Sequence, residues 1–230
     1  MSHLAGVQPG TFTFHFHKVS DWAWLTGHIG YFWQLSQTHL YLALVSVAIA
    51  LLLALPIGCL AARIPETYPP ILAVTTVVYA LPSLAVFAFL LSITGAGYNT
   101  VILPMSAYGL AVLVRSVAEG LNNVSDDVRI AATAMGYRST RRLLTIELPA
   151  AVPVIIAGLR VATVSSISLV TLAYLIGIHT LGQLFIAGEN TDFLTEILAG
   201  VVIVAMWALL FDGLLLLSGW VLAPWARRAS

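Results

Sequence analysis

Long uncharged stretches are the feature that most limits what this chain can fold into. Between Thr67 and Val114 there is no Asp, Glu, Lys or Arg, and other strongly apolar stretches begin at Leu40, near Pro153 and near Glu196. A helix needs roughly 20 apolar residues to cross a hydrocarbon core of about 30 Å. With 60% hydrophobic and only 9% charged residues, the chain is predicted to be an all-α integral membrane protein.

About five transmembrane helices are predicted. The uncharged stretch that begins at Thr67 is too long for one crossing, and the glycines of GAGYN at 95–99 divide it in two. Pro56, Pro82 and Pro104 are candidates for kinks. The predicted spans are 40–62, 71–92, 100–118, 153–176 and 196–222.

The distribution of basic residues predicts the orientation. Lys and Arg are enriched in cytoplasmic loops, and with the amino terminus outside, Lys18 is the only basic residue in an external segment. Arg115 and Arg160 lie near the cytoplasmic ends of their spans, where long side chains can reach the interface. We therefore expect an external amino terminus, a cytoplasmic loop at 119–152 and a cytoplasmic tail at 226–230.

Residues 1–36 are predicted to be an external or interfacial leader, followed by a transmembrane domain at 37–225. Lys18, Asp21 and nearby histidines disfavour a sixth crossing within the leader. We expect the histidines to be solvated, and no metal site is predicted because no His, Cys or carboxylate cluster has the spacing of metal ligands. The aromatic residues of the leader are expected to form an interfacial belt; they are Trp22, Trp24, Tyr31, Phe32 and Trp33.

The cytoplasmic loop is predicted to contain two short helices. Ser125 is placed to cap the first, and Gly136 to end it. The second is expected to start near Ser139 and to stop before Pro149. The loop suits either docking against a cytoplasmic protein or resting on anionic lipid. The small apolar face expected to meet the other surface consists of Val128, Ala131, Ala132 and Met135.

The spacing within this loop resembles a family motif. Ile130-Ala131-Ala132, three residues, Gly136, nine residues, Ile146, one residue and Leu148-Pro149 follow the pattern E-A-A-x3-G-x9-I-x-L-P. This pattern is that of the EAA loop of binding-protein-dependent ABC importer permeases, with Ile130 in place of the glutamate. The resemblance implies the type I ABC importer permease fold and a coupling helix that inserts into an ATPase subunit. Arg138 and Arg141 lie in the same predicted coupling loop.

Three further segments resemble the osmoprotectant branch of this family. They are LPSLAVF at 81–87, ELPAAVPVIIAGLRVATV at 147–164 and LIGIHTLGQLFIAG at 175–188. The branch serves import of glycine betaine, choline, carnitine or proline, which the resemblance implies here. Ile178, His179 and Thr180 interrupt the glycines that the branch usually carries in the last segment.

The resemblance also implies a location in the bacterial cytoplasmic (inner) membrane, and it implies the partners. They are two ABC ATPase subunits, a second permease chain that is identical or paralogous, an extracytoplasmic solute-binding protein and membrane lipid, with no nucleic acid. The chain contains no G-x-x-x-x-G-K-[ST] motif, so it is predicted not to be an enzyme and to bind no cofactor, with ATP and Mg on the partner ATPase. Alternatives are a permease for another small solute such as an amino acid, and a stand-alone secondary carrier or channel.

Two charges fall deep in the predicted spans. Arg160 and Asp212 lie at similar depths, which favours an ion pair between the fourth and fifth spans, while a role of Asp212 in the translocation path remains an alternative. Other candidates for the translocation path or its gate are Tyr79, Pro82, Ser83, Tyr174, His179 and Trp207.

Overall fold

A computed structural model describes residues 22–225, and these residues are almost entirely helical. Short 3₁₀ helices lie at Pro65–Thr67 and Val170–Ile176, and a π-helical turn lies at Leu143–Glu147. The α-helices in this part of the chain are α1 Trp22–Gly27, α2 Ile29–Arg63, α3 Tyr68–Ala80, α4 Ser83–Thr94, α5 Tyr98–Asn122, α6 Asp126–Ala134, α7 Ser139–Arg142, α8 Leu148–Leu169, α9 Gly182–Asn190 and α10 Leu194–Leu222.

Within residues 22–225, four helical stretches are long and apolar enough to cross a membrane. They are Ile29–Arg63, Tyr98–Asn122, Ser139–Ile176 and Leu194–Leu222. A fifth crossing is reached if the bent pair Pro65–Ala80 and Ser83–Thr94 counts as one span. The predicted all-α membrane protein with about five crossings is confirmed, and the orientation stays a prediction.

The first long helix begins earlier than its predicted span. α2 starts at Ile29, inside the predicted leader, and its 35 residues rise about 52 Å, which exceeds a hydrocarbon core of about 30 Å. The run of apolar residues placed the start of the predicted span at residue 40, because Gln34, Gln37 and His39 before it are polar. The part of the predicted leader at 1–21 lies outside the described residues.

The second predicted span, 71–92, is not one straight or gently kinked helix. The pair Pro65–Ala80 and Ser83–Thr94 is bent by 87°. Pro82 has no N–H to donate, and a residue before proline is pushed into extended backbone, which Leu81 adopts at φ −66° and ψ 136°. The hydroxyl of Tyr108 donates to the carbonyl of Leu81 at 3.0 Å, so the break is stabilised by the neighbouring helix.

The core forms where α5 packs between α2 and α8. Small residues set these distances: a Cβ at Gly58 would lie 2.6 Å from that of Val117, and one at Gly158 would overlap Ser116. Such close approach is typical of membrane helices, which associate through packing rather than through the hydrophobic effect. α5 is therefore held from both sides at the end from which the α6–α7 loop emerges.

Candidate functional site

The predicted loop forms two short helices joined by a tight turn. α6 begins at Asp126 with Ser125 at the N-cap position, although the Ser125 hydroxyl makes no capping hydrogen bond. Gly136 has φ +82°. Its N–H donates to Thr133 and the N–H of Tyr137 donates to Ala132, at 2.9 and 3.1 Å. This is a Schellman motif, which requires a residue that tolerates a left-handed backbone.

The residues predicted to form one apolar face of α6 do not all point the same way: one is buried inward and the others are exposed. Ala132 is 1% exposed, whereas Val128 and Met135 are 42% and 69% exposed. The expected docking face of Val128, Ala131, Ala132 and Met135 is therefore wrong in one member, because Ala132 packs inward. Ile130, where the family motif has glutamate, is 66% exposed and extends the outward face.

Two arginines tie the loop to the ends of neighbouring helices. Arg63, the last residue of α2, donates to the hydroxyl and carbonyl oxygens of Ser139 at 3.0 and 2.8 Å. Arg129 of α6 donates to the carbonyl of Leu121 in the last turn of α5 at 2.8 Å. The Leu121 carbonyl also accepts from the backbone N–H of Val124 at 3.2 Å, so Arg129 adds a charged donor at the end of α5 and fixes α6 against it.

A third arginine joins both loop helices to the start of α8. Arg142 Nε donates to Glu147 Oε1 at 2.6 Å and its Nη1 to the hydroxyl of Thr133 at 2.9 Å. The Glu147 side chain is 7% exposed. The i,i+5 spacing of the pair matches the π-helical turn Leu143–Glu147. These anchors surround a cavity of about 240 Å³ between the loop and the helix ends.

The other predicted loop residues lie around the three arginine contacts. Arg138 is exposed, and the Arg141 guanidinium lies 5.1 Å from the centre of the Tyr137 ring. Leu148 and Pro149 begin α8 directly after the π turn, and Pro149 has no N–H to donate to the carbonyls of that turn. Ile146 is half-buried in the preceding π turn.

Arg160 of α8 and Asp212 of α10 form a bidentate ion pair. Arg160 Nε and Nη2 donate to the two carboxylate oxygens at 2.7 Å each. The side chains are 33% and 27% exposed. Two parallel charge-assisted hydrogen bonds are the strongest arrangement for these groups and reduce the penalty of placing each charge in a membrane span.

The residues predicted for the translocation path do not form one cluster. Tyr79 and Ser83 flank the break at Pro82 between α3 and α4. Tyr174 and His179 lie on either side of a turn after the end of α8, and their ring centres are 6.4 Å apart. Trp207 lies elsewhere, on α10, and donates its indole N–H to Ser36 at 3.1 Å.

Sequence reasoning missed several anchors. Glu147, Arg142 and Arg129 were not selected, although a lone glutamate within an arginine-rich segment signals a pair. The expectation that the histidines are solvated is wrong for His39, which is fully buried in α2. Position 39 lies just after the predicted leader, and the contact of His39 with α8 depends on tertiary packing.

A sequence model of the family described as binding-protein-dependent transport system inner membrane component matches residues 54–228. The chain belongs to this family. It is therefore a permease subunit of a transport system, and a multi-pass protein of the inner membrane.

Relatives of established role agree with this membership. The glycine betaine/carnitine/choline transport system permease protein OpuCD of Bacillus subtilis is 33% identical over 84% of this chain and 83% of its own length. The osmoprotectant import permease protein OsmW of Salmonella typhimurium is 28% identical over 87% of this chain and 96% of its own. A permease of the inward-facing MetNI methionine ABC transporter shares the fold with a TM-score of 0.76 at 16% identity, over 85% of this chain and 98% of that one.

Proposed function

We propose that this chain carries a small osmoprotectant, such as glycine betaine, choline, carnitine or proline, through the membrane by alternating access driven by separate ATPase subunits. A second permease chain completes the path, and an extracytoplasmic binding protein delivers the solute. ATP and Mg are bound by two ATPase subunits, which grip the α6–α7 loop of each permease.

The observation that carries the proposal is the set of three arginine anchors beneath the loop. Arg63, Arg129 and Arg142 link it to the ends of α2, α5 and α8. A displacement of the loop is therefore passed to three helix ends at once. The outward side of α6, with Ile130 and Met135 exposed, is the surface for the ATPase. The relatives named for glycine betaine, carnitine and choline support the solute class.

Reconstitution tests the proposal directly. The chain is placed in proteoliposomes with its ATPase and binding protein, and uptake of labelled glycine betaine, choline, carnitine and proline is measured with and without ATP. We expect ATP-dependent uptake of at least one of them and solute-stimulated ATP hydrolysis. Uptake without the ATPase subunit would identify a stand-alone carrier instead.

Orientation is tested by cysteine labelling in intact cells. With the single native cysteine removed by Cys59→Ala, Thr140→Cys in α7 is expected to react only after the membrane is permeabilised. Asn190→Cys at the end of α9, also exposed, is expected to react from outside. Labelling of Thr140→Cys by an impermeant reagent in intact cells would reverse the topology.

A further inference from the structure

A cleft between α3 and α5 within the spanning region has a mainly apolar lining, with five polar side chains among its lining residues. Thr75, Thr76 and Tyr79 line it from α3, and Arg115 and Ser116 line it from α5, at spacings that place each set on one helical face. Its volume is about 290 Å³. This lies near the lower end of the roughly 300–1,000 Å³ typical of ligand sites, which suits a small solute.

The charged residues of this face are exposed. Arg115 Nε lies 3.5 Å from Glu119 Oε1, and the two side chains are 59% and 50% exposed. Among the ion pairs of residues 22–225, this is the one in which both side chains are at least half exposed. Arg115 lies seven residues before Asn122, the end of α5, or about 10 Å along the helix axis.

The exposed face of α10 has the opposite character. Its outward residues are apolar, and they include Val202, Leu209, Leu214 and Val221. Such a surface suits lipid chains, whereas a half-exposed guanidinium and carboxylate on a spanning helix are expensive in lipid and mark water-filled paths. The charged pair therefore places the Asn122 end of the α3/α5 cleft in contact with water, either within a path or at the interface that the Arg115 side chain can reach.

We propose that this cleft is a solute-binding section of the translocation path, and that it takes a zwitterion with a quaternary ammonium at one end and a carboxylate at the other. Arg115 binds the carboxylate by charge-assisted hydrogen bonds. The Tyr79 side chain is 52% exposed and packs edge-on against Tyr108, with 6.4 Å between the ring centres. Its ring binds the ammonium by cation–π attraction. The inference rests on the proposed solute class.

Glu119 has a defined part in this site. In the empty cleft it is the counterion of Arg115, and the solute carboxylate replaces it. The site therefore exchanges one carboxylate for another, which avoids an unpaired guanidinium in the span and keeps binding weak enough for release.

Glycine betaine and choline separate the roles of the two side chains, because both carry the trimethylammonium and only betaine carries a carboxylate. In the reconstituted assembly, Arg115→Gln is expected to lower betaine uptake about 10-fold or more and choline uptake less than about 2-fold. Arg115→Lys is expected to recover only part of the loss, because lysine lacks the bidentate fork. Tyr79→Leu is expected to lower uptake of both solutes about 3-fold or more.

The same binding protein is used throughout, so a difference between solutes arises in the permease. Tyr98→Leu, which removes a half-exposed tyrosine at the opposite end of α5, serves as the matched control and is expected to change neither uptake. Equal losses for betaine and choline in Arg115→Gln, or no loss in either, would overturn the inference while leaving the proposed function standing. Wild-type import of choline without betaine would also overturn it. Wild-type import of neither would overturn the solute class itself.

Discussion

His39 Nε2 lies 2.8 Å from the carbonyl oxygen of Ile167, and this contact joins α2 to α8. A carbonyl only accepts, so Nε2 carries the hydrogen and donates. Ile167 lies just before α8 tightens into the 3₁₀ helix Val170–Ile176. The imidazole is fully buried, and the bond therefore stabilises the packing where α8 ends.

Replacing His39 by leucine is expected to lower stability. The change removes the hydrogen bond to the Ile167 carbonyl, whose net contribution is typically about 0.5–1.5 kcal/mol, and should lower the Tm of the detergent-solubilised protein. The control is Gln37→Leu, two residues away on the same helix and exposed. Equal Tm values for the two variants would show that the His39 bond contributes nothing to stability.

Breaking the Arg142–Glu147 pair is expected to uncouple the loop from α8. Glu147→Gln leaves Arg142 without its carboxylate and should lower the Tm by the equivalent of about 1–3 kcal/mol, less than for a fully buried pair because Arg142 is 25% exposed. A double-mutant cycle with Arg142→Gln should give an interaction energy of about 1–2 kcal/mol. Glu66→Gln, at an exposed glutamate, is the control. An interaction energy near zero would contradict a direct contact.

The left-handed backbone at Gly136 leads to a prediction that depends on backbone conformation rather than on the size of the side chain. No atom lies within 4 Å of the Cβ that alanine would add, so Gly136→Ala is unfavourable only through φ, by roughly 1–2 kcal/mol. Asparagine tolerates this conformation. We expect solute-stimulated ATP hydrolysis to fall in Gly136→Ala and to stay closer to wild type in Gly136→Asn. Similar losses in both would mean that the glycine is needed for contact with the partner rather than for the turn.

The Arg160–Asp212 pair predicts rescue by apolar replacement. Asp212→Asn leaves the Arg160 guanidinium without a charged partner inside the span, and the yield of folded protein should fall several-fold. Replacing both residues, by Arg160→Met with Asp212→Leu, should restore the yield, because removing both charges is often neutral or stabilising. Normal uptake by the double variant would establish a structural pair. A folded double variant with lost or altered solute selectivity would instead place Asp212 in the path.

The sequence alone determined the class of fold and the two short helices of the loop between α5 and α8. Uncharged stretches of this length are typical of membrane spans. Each crossing must satisfy its own backbone hydrogen bonds within the membrane, which predicts helices. The loop could be predicted because its turn is local: the left-handed backbone at Gly136 ends the helix without contacts from the rest of the chain. Most of the predicted loop residues lie within α6, α7 and the first turn of α8.

Only the tertiary structure decided which polar groups meet. Pro82 predicted a kink, but the 87° bend is also stabilised by the hydroxyl of Tyr108, which bonds to Leu81, 27 residues earlier in the chain. His39 and Ile167 are 128 residues apart, and the partners of Arg63 and Arg129 are a serine and a backbone carbonyl. Local sequence does not specify such contacts, because they form only when small residues let α2, α5 and α8 approach closely and bring polar atoms of different helices within hydrogen-bonding distance.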